Sequence, residues 1–221
     1  MRVKASIIVT SYNYSRYIER CLRSCLSQNY PCDEYEVVVV DDASTDDTVD
    51  ILKKFEAFPN FRYIVNPKNV GVAEAANTGI QACFGRYFVR VDADDYVNQD
   101  LLFFLVRYLE ENHDAFCVSC DYYLVDEFGN KIERKYAEED PISCGIMYRT
   151  DLITKYGLYD SRFRHREEEE LRARLAEYYK IHHLRMPLYR YRMHKYNRTK
   201  NASEMERYRR LLEELHTNDE G

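Results

Sequence analysis

The amino-acid sequence predicts an α/β fold in which a mostly parallel sheet with flanking helices is joined to a mixed sub-sheet. The first observation is a set of short apolar runs typical of buried strands, at residues 5–10, 36–40, 61–65 and 87–91. Helical patterns separate these runs, and strands that alternate with helices are typical of a parallel, right-handed wound sheet. With 221 residues, 45% of them hydrophobic, the chain suits one domain with a sizeable core.

In the first half of this domain, residues 1–98, each predicted strand ends in a polar turn that leads into a helix. The predicted helices lie at residues 15–28, 48–55 and 72–83. Helix-capping residue types at positions 43–48 precede the second helix, and Gly85 breaks the third before the fourth strand begins.

The alternation changes in residues 99–200, which predicts a mixed second half. We expect a helix at residues 99–112, a strand at 115–125 and a turn at 126–130. Residues 201–221 are predicted to form a charged amphipathic helix and a tail. Its apolar stripe consists of Met205, Tyr208, Leu212 and Leu215. We expect that stripe to pack on the core, with a membrane or partner surface as the alternative.

Charge and composition exclude several classes of protein. The formal net charge of -6 argues against a nucleic-acid partner, because neutralising a phosphate backbone needs a basic surface. No apolar stretch is long enough to span a bilayer, and the first residues lack the apolar region of a signal peptide. We therefore expect a cytoplasmic location, with peripheral contact at the inner face of the membrane left open. The seven cysteines are expected to be reduced thiols, with Cys21, Cys25, Cys117 and Cys120 packed in the core.

Three polar clusters follow predicted strands, at residues 10–13, at Asp41 and Asp42, and at residues 92–95. In parallel sheets, ligands bind in the crevice beyond the carboxyl ends of the strands. The three clusters are therefore expected to converge on one crevice.

The most informative cluster is the acidic one, which places three carboxylates within four residues. Asp92 and Asp94 lie two residues apart on a strand and so share a face, whereas Asp95 points elsewhere. Carboxylate oxygens are hard ligands that favour Mg²⁺ or Mn²⁺, ions that usually also hold a substrate phosphate. A solvated acidic turn is the alternative interpretation.

Taken together, these segments resemble the inverting glycosyltransferases of family 2, which have the GT-A (nucleotide-diphospho-sugar transferase) fold. The matching segments occur in the expected order at residues 6–13, 40–48, 69–71, 76–79 and 91–95, and the likeness extends to about residue 197. It implies that residues 1–98 bind a nucleotide sugar and that residues 99–200 bind the acceptor and supply the catalytic base.

The resemblance also implies roles at the donor site. Thr10 and Tyr12 would contact the nucleoside, with Tyr12 stacking on the base. Either Asp42, which we favour, or Asp41 would accept a hydrogen bond from the base. The donor site would also include Asn13 and Asn77, which lie inside matching segments.

By the same resemblance, Asp94 would coordinate the Mn²⁺ or Mg²⁺ ion, and Asp92 would reach the ribose or a metal-bound water. The ion would neutralise charge on the departing nucleoside diphosphate. The implied donor is a uridine-diphosphate sugar, with guanosine or thymidine diphosphate sugars as alternatives. The implied acceptor is a hydroxyl of a glycan or of a lipid-linked oligosaccharide.

A general base must accept the proton of the acceptor hydroxyl. Alignment on Leu171 and Arg174 places Glu168 where the family usually has an aspartate, so the chain departs from the commoner residue. Helical periodicity also puts Glu168 closest to an inward stripe of Leu171, Leu175 and Tyr178. Glu167 comes next in that order, whereas Glu169 and Glu170 are expected to point outward.

A basic strand is predicted near the end of the resemblance. Arg190, Arg192 and His194 alternate, so they are expected to share one face, where cations would suit a diphosphate. His194 resembles a family position near the phosphates or the metal. A solvated basic edge strand is the competing interpretation.

Other functions fit the sequence less well. Tyr96 occupies a position where haloacid-dehalogenase phosphatases need Thr or Val, and residues 10–15 lack the glycine-rich loop of sugar nucleotidyltransferases. The chain has no tryptophan, so it lacks the Gln-x-x-Arg-Trp motif of processive polysaccharide synthases, and we expect transfer of one sugar. A module that binds sugar nucleotides without turnover is the remaining non-enzyme alternative.

Overall fold

The computed structural model describes residues 3–176, 178, 180–195, 197 and 202–217, and they form one mixed nine-stranded sheet covered by helices. Four parallel strands make up its first half: β1 (Ala5–Ser11), β2 (Tyr35–Asp41), β3 (Phe61–Val65) and β4 (Tyr87–Asp92). Their spatial order is β3-β2-β1-β4. They alternate with α1 (Ser15–Leu26), α2 (Thr48–Lys53) and α3 (Val72–Ala82), as the sequence predicts.

The second half continues the same sheet with mixed strand directions. Its strands are β5 (Tyr96–Val97), β6 (Cys117–Val125), β7 (Lys131–Lys135), β8 (Ile146–Arg149) and β9 (Ile181–Arg192). β8 joins the halves because it pairs antiparallel with both β4 and β6. β9 runs parallel to β6 and carries β5 on its other edge, and β7 forms a hairpin with β6. The expected α/β class with a mixed sub-sheet is confirmed.

The helices of the second half are α4 (Leu101–Glu111), α5 (Thr150–Tyr156), α6 (Glu167–Leu175) and α7 (Ala202–Thr217). Tyr208 of α7 is buried against Phe163 and His165, with ring centroids 6.0 and 5.6 Å apart. The expected packing of this stripe is seen at Tyr208, whereas Leu212 and Leu215 are half-buried and the side chain of Met205 lies outside what the structure describes. None of the described helices combines the length and the apolarity needed to cross a bilayer.

The core has one layer on each face of the sheet, because alternate strand residues point to opposite faces. Ile7 and Val9 of β1 pack in the layer covered by α1, α2 and α4, whereas Ile8 packs in the layer of α3, α5 and α6. Gly79 of α3 lies directly over Ile8, so close that an added Cβ would come within 2.5 Å of its Cγ2.

The cysteines are free thiols, and Cys21, Cys25, Cys117 and Cys120 are buried in the core, as expected. Burial raises the pKa of Cys120 to about 12 and raises the pKa of Cys117 further. Both thiols therefore stay protonated at neutral pH.

Candidate active site

A cavity of about 460 Å³ opens where β1, β2 and β4 end. Such a volume lies within the range of small-molecule sites. The strand register makes these ends level, since Thr10 lies opposite both Val40 and Asp92. The predicted convergence of the three polar clusters is confirmed, because Thr10, Asp42 and Asp94 all line this cavity.

The residues expected to contact the nucleoside lie at one side of the cavity. Thr10, Tyr12 and Asp42 line it, and Tyr12 is 43% exposed. Asp41 is fully buried and does not line the cavity. Its carboxylate accepts hydrogen bonds from the backbone N–H and the hydroxyl of Ser44, at 2.9 and 2.5 Å.

The carboxylate of Asp42 holds the loop that follows β3. Oδ1 accepts from Asn66 Nδ2 and the Val70 N–H, at 2.8 and 2.9 Å, and Oδ2 accepts from the Gly71 N–H at 2.8 Å. The loop residues Asn69 and Gly71 also line the cavity. Oδ2 also accepts the Val70 N–H at 3.2 Å, so Asp42 shapes the cavity wall with both carboxylate oxygens bound to the loop.

Asn13 and Asn77 were expected at the donor site, but neither lines the cavity. Asn13 adopts a left-handed backbone with φ 59°, and its Oδ1 accepts the Thr45 N–H at 2.7 Å. It thereby ties the loop after β1 to the loop after β2. Asn77 is buried in α3 and exchanges two hydrogen bonds with the backbone of Tyr159, at 2.8 and 3.0 Å. Its amide therefore holds α3 to the backbone at Tyr159.

The acidic cluster lies at the other side of the cavity. Asp92, Asp94 and Asp95 each offer an oxygen within 4.8 Å of the others. The oxygens of Asp95 are occupied, because they accept the Tyr189 hydroxyl and the Arg192 N–H, both at 2.7 Å. The expectation of a strand face shared by Asp92 and Asp94, with Asp95 pointing elsewhere, is wrong, because β4 ends at Asp92, Asp94 lies in the turn that follows, and Asp95 lines the same cavity.

Burial of the acidic cluster disfavours its charged form. Burial raises the pKa of Asp92, opposed by Arg90 and reinforced by Asp94. Burial also raises the pKa of Asp95 well above its usual range, with Asp94 and Asp92 adding to the rise. Carboxylates that repel one another in a buried site are stabilised by a bound cation. With hard oxygen ligands from Asp92 and Asp94, this donor set fits Mn²⁺ or Mg²⁺.

His194 does not line the cavity but contacts Asp94, which does. Its Nε2 donates to Asp94 Oδ2 at 2.8 Å, since an ionised carboxylate can only accept. The imidazole is buried and stacks on Tyr17, with centroids 4.8 Å apart. His194 lies two residues beyond the end of β9, so it is not part of a strand face with Arg190 and Arg192.

Arg190 and Arg192 were expected to face a diphosphate, but neither lines the cavity. Arg190 donates to the backbone carbonyls of Pro187 and Tyr189, and its guanidinium lies over the Tyr123 ring. Arg192 is buried and donates to the carbonyls of Asp94 and Glu127. Both guanidinium groups are thus bound to backbone carbonyls. The role of Arg192 is to fix the backbone beneath the acidic cluster.

Glu168 is fully buried and does not line the cavity, contrary to the expectation that it faces the sugar. Tyr148 donates to its Oε1, and Tyr159 donates to its Oε2 at 3.0 Å. Burial raises the pKa of Glu168 to about 7, against the lowering effect of these hydroxyls and of the nearby Arg172. The carboxyl group therefore keeps its proton to a higher pH than an exposed glutamate does.

The neighbouring glutamates only partly follow the helical prediction. Glu167 and Glu169 line the cavity, and Glu167 Oε1 accepts from Arg90 Nη2 at 2.8 Å. Glu170 was expected to point outward, yet it is buried and pairs with Arg174 at 2.8 Å. That pair explains the difference, because Arg174 also donates to backbone carbonyls of residues 156–158 and holds Glu170 against the core.

Several cavity residues were missed by the sequence analysis. They are Arg90, Ser143, Cys144, Arg164, Arg166 and Arg172. Arg166 has a left-handed backbone, φ 61°, immediately before α6 and pairs with Glu169 at 2.5 Å. The sequence did contain a signal for the arginines near α6. Arginines cluster with His165 just before four glutamates, and opposite charges so close in sequence are expected to pair.

Comparisons with known proteins match this chain to one family. The family model described as glycosyl transferase family 2 matches residues 6–201. The chain is 36% identical over 132 residues to chondroitin synthase of Escherichia coli, covering 59% of this chain and 19% of that protein. It is 35% identical over 112 residues to poly(ribitol-phosphate) beta-N-acetylglucosaminyltransferase TarS of Staphylococcus aureus, covering 50% of this chain and 20% of TarS.

Solved structures share the fold. A crystal structure of S. aureus TarS residues 1–349 superposes with a TM-score of 0.76 at 25% identity, covering 86% of this chain and 60% of that one. The mannosyltransferase PcManGT of Pyrobaculum calidifontis, solved with GDP-Man and Mn²⁺, gives a TM-score of 0.72 at 23% identity, covering 89% and 59%.

The chain thus spans about a fifth of the two curated relatives and about 60% of the solved chains. The order of the motifs and the fold of the described residues agree with the family match, which covers residues 6–201. We conclude that this chain belongs to glycosyl transferase family 2.

Proposed function

We propose that this chain is a metal-dependent, inverting glycosyltransferase that moves one sugar from a UDP-sugar to a hydroxyl of a glycan or lipid-linked acceptor. The observation that carries the proposal is the single cavity shared by Tyr12, Asp42 and the acidic cluster. A site for a nucleoside diphosphate needs one end that recognises the base and another that neutralises the phosphate charge. This cavity offers both.

Relatives support the choice of donor. A crystal structure of S. aureus TarS was solved in complex with UDP-GlcNAc, and this chain superposes on it with a TM-score of 0.78. The names of chondroitin synthase and of TarS describe enzymes that make chondroitin and that transfer N-acetylglucosamine to poly(ribitol-phosphate). We therefore propose a UDP-sugar as donor and a polysaccharide or its lipid-linked precursor as acceptor.

On the donor side, Tyr12 is proposed to stack on the base and Asp42 to accept its ring N–H. Asp94 and Asp92 would hold the divalent ion, and His194 fixes the orientation of the Asp94 carboxylate. When bound, the ion supplies positive charge that stabilises the departing diphosphate.

On the acceptor side, inversion requires one displacement in which the acceptor oxygen bonds to the anomeric carbon as the bond to the diphosphate oxygen breaks. Glu168 is our proposed base for the acceptor proton, because it occupies the family position and its pKa of about 7 suits proton acceptance at neutral pH. Tyr148 and Tyr159 must release its carboxylate before it can act. Glu167 is the competing candidate, since it already lines the cavity.

Incubation with candidate UDP-sugars, Mn²⁺ and glycan or lipid-linked acceptors, followed by measurement of UDP release and product, tests the proposal. We expect acceptor-dependent UDP release that stops when the metal is chelated. UDP-sugar binding without transfer to any acceptor would instead support an inert sugar-nucleotide-binding module. Failure to bind any nucleotide sugar would contradict the donor assignment as well.

A further inference from the structure

Arg90 is unusual among the cavity residues because it is a buried cation with unused hydrogen-bond donors. It lies on β4, two residues before Asp92, and is only 2% exposed although it lines the cavity. A guanidinium carries five N–H donors in a rigid fork. Nη2 donates to Glu167 Oε1, whereas Nε and Nη1 have no hydrogen-bond partner among the described residues.

The groups beside Arg90 do not satisfy these two nitrogens. Asp92 Oδ1 lies 3.8 Å from Nε, which is too far for a hydrogen bond. The thiol of Cys144 is nearby but is a weak acceptor, and the Tyr159 ring centroid lies 5.2 Å from Cζ. Because buried donors are normally paired, an oxygen atom entering the cavity would complete this arrangement.

The charges around Arg90 define which kind of oxygen fits. Glu167 and Asp92 each bring a carboxylate within 4 Å of the guanidinium, so the charges in direct contact with Arg90 already outweigh its own, whereas Arg164, Arg166 and Arg172 are the other cations of the cavity. A divalent ion and the diphosphate of a donor would largely cancel each other. An additional carboxylate would therefore be repelled here. A sugar hydroxyl fits instead, because it can accept from Arg90 and donate to a neighbouring carboxylate.

We propose that Arg90, flanked by Glu167 and Asp92, binds a ring hydroxyl of the transferred sugar. This contact makes the chain selective for neutral hexosyl donors over uronic-acid donors. The inference rests on the proposed function, because it identifies the class of sugar within the same donor site.

Calorimetric titrations with Mn²⁺ test it, using UDP, UDP-glucose, UDP-galactose, UDP-N-acetylglucosamine and UDP-glucuronic acid. We expect the wild-type protein to bind at least one neutral donor about tenfold or more tightly than UDP-glucuronic acid. Arg90→Lys keeps the charge but removes the fork. It should lower the affinity for that neutral donor about 10- to 100-fold and change UDP affinity less than about twofold.

Arg62→Lys is the matched control, since Arg62 lies on β3 outside the cavity and should leave both affinities unchanged. Equal losses for UDP and the neutral donor in Arg90→Lys would overturn the inference, as would equal wild-type binding of UDP-glucuronic acid. Absence of UDP binding by the wild-type protein would instead contradict the proposed function.

Circular dichroism and thermal melting establish whether Arg90→Lys folds. If it does not, donors that lack a single ring hydroxyl decide the question on the wild-type protein. We expect one such deoxy donor to bind about tenfold more weakly than its parent. Equal binding across the whole deoxy series would overturn the inference.

Discussion

Asp94 Oδ2 and His194 Nε2 lie 2.8 Å apart, although 100 positions separate the two residues in the chain. The contact joins the end of β4, in the parallel half of the sheet, to the segment after β9 in the mixed half. The acidic cluster is therefore assembled by both halves, and neither half presents the Asp94 carboxylate in this orientation alone.

Asp94→Asn is expected to abolish most of the metal-dependent binding of UDP, because the amide removes a charged oxygen ligand. Calorimetry should show at least about a tenfold loss of UDP affinity with Mn²⁺ and little change without it. Asp151→Asn, an exposed position on α5, is the control. Unchanged Mn²⁺-dependent binding in Asp94→Asn would remove this aspartate from the metal site.

His194→Leu is expected to weaken Mn²⁺ affinity about 10- to 100-fold, because the Asp94 carboxylate loses the donor that orients it. His194→Gln retains an N–H donor and should recover part of that loss. Mn²⁺ titration followed by electron paramagnetic resonance measures both variants. If both variants lose affinity equally, the donated hydrogen bond is not what matters.

Glu168→Gln is expected to remove transfer while leaving UDP-sugar affinity within a few-fold, because an amide cannot accept the acceptor proton. In the wild-type protein, kcat/KM should rise with pH and level off above about pH 7, following the raised pKa of Glu168. Steady-state kinetics of Glu168→Gln and Glu167→Gln distinguish the two candidates. Wild-type turnover in the first and none in the second would transfer the role to Glu167.

The pKa of Glu168 also predicts how stability depends on pH. Because burial raises this pKa from an ordinary value of 4.5 to about 7, folding favours the protonated form. This contribution is fully present below pH 4.5 and is lost as the pH rises through 7. Relative to wild type, Glu168→Gln should gain up to ~3 kcal/mol of unfolding free energy between pH 4.5 and 8.

Urea denaturation of the two proteins at several pH values measures that difference, and other titrating groups cancel in the comparison. A difference that stays constant with pH would mean that Glu168 is ionised in the folded protein as readily as in the unfolded chain.

Gly79→Ala is expected to destabilise the protein by about 1–3 kcal/mol, because the new methyl group overpacks the contact between α3 and β1. Its Cβ would lie 2.5 Å from Ile8 Cγ2 and 3.3 Å from Val40 Cγ2. Urea denaturation measures the loss, with Thr78→Ala on the same helix as the control. Equal stability of the two variants would show that the sheet can move away from α3.

The sequence predicted those strands and helices that are recognisable from the pattern of neighbouring residues. The third strand is predicted and observed at residues 61–65, and the observed β2 extends the predicted run by one residue at each end. β8 was not predicted, because four residues are too few to show a period. β9 begins at Ile181, and register shifts in its pairing with β6 interrupt the alternation of its earlier residues.

For the candidate site, the positions of the strand ends were enough to predict that the polar clusters converge. They were not enough to predict which side chains bond to one another. Glu168 is enclosed by Tyr148, from β8, and by Tyr159, and neither partner could be identified from the helix that carries the glutamate. Likewise, Asn77 has an amide whose partner is the backbone of Tyr159, 82 positions away. These contacts depend on packing between residues that are far apart in the chain, and the spacing of residues in the sequence carries no information about such packing.

The level ends of β2, β1 and β4 fix the distance between the two sides of the cavity. Adjacent strands lie about 4.8 Å apart, so the edge near Asp42 and the edge near Asp92 are separated by about 10 Å, with β1 between them. Backbone hydrogen bonds set this span, and side chains do not. In the proposed donor site, replacing the loops would change which base or which sugar is preferred, whereas the distance between the base and diphosphate ends would still be fixed by the sheet.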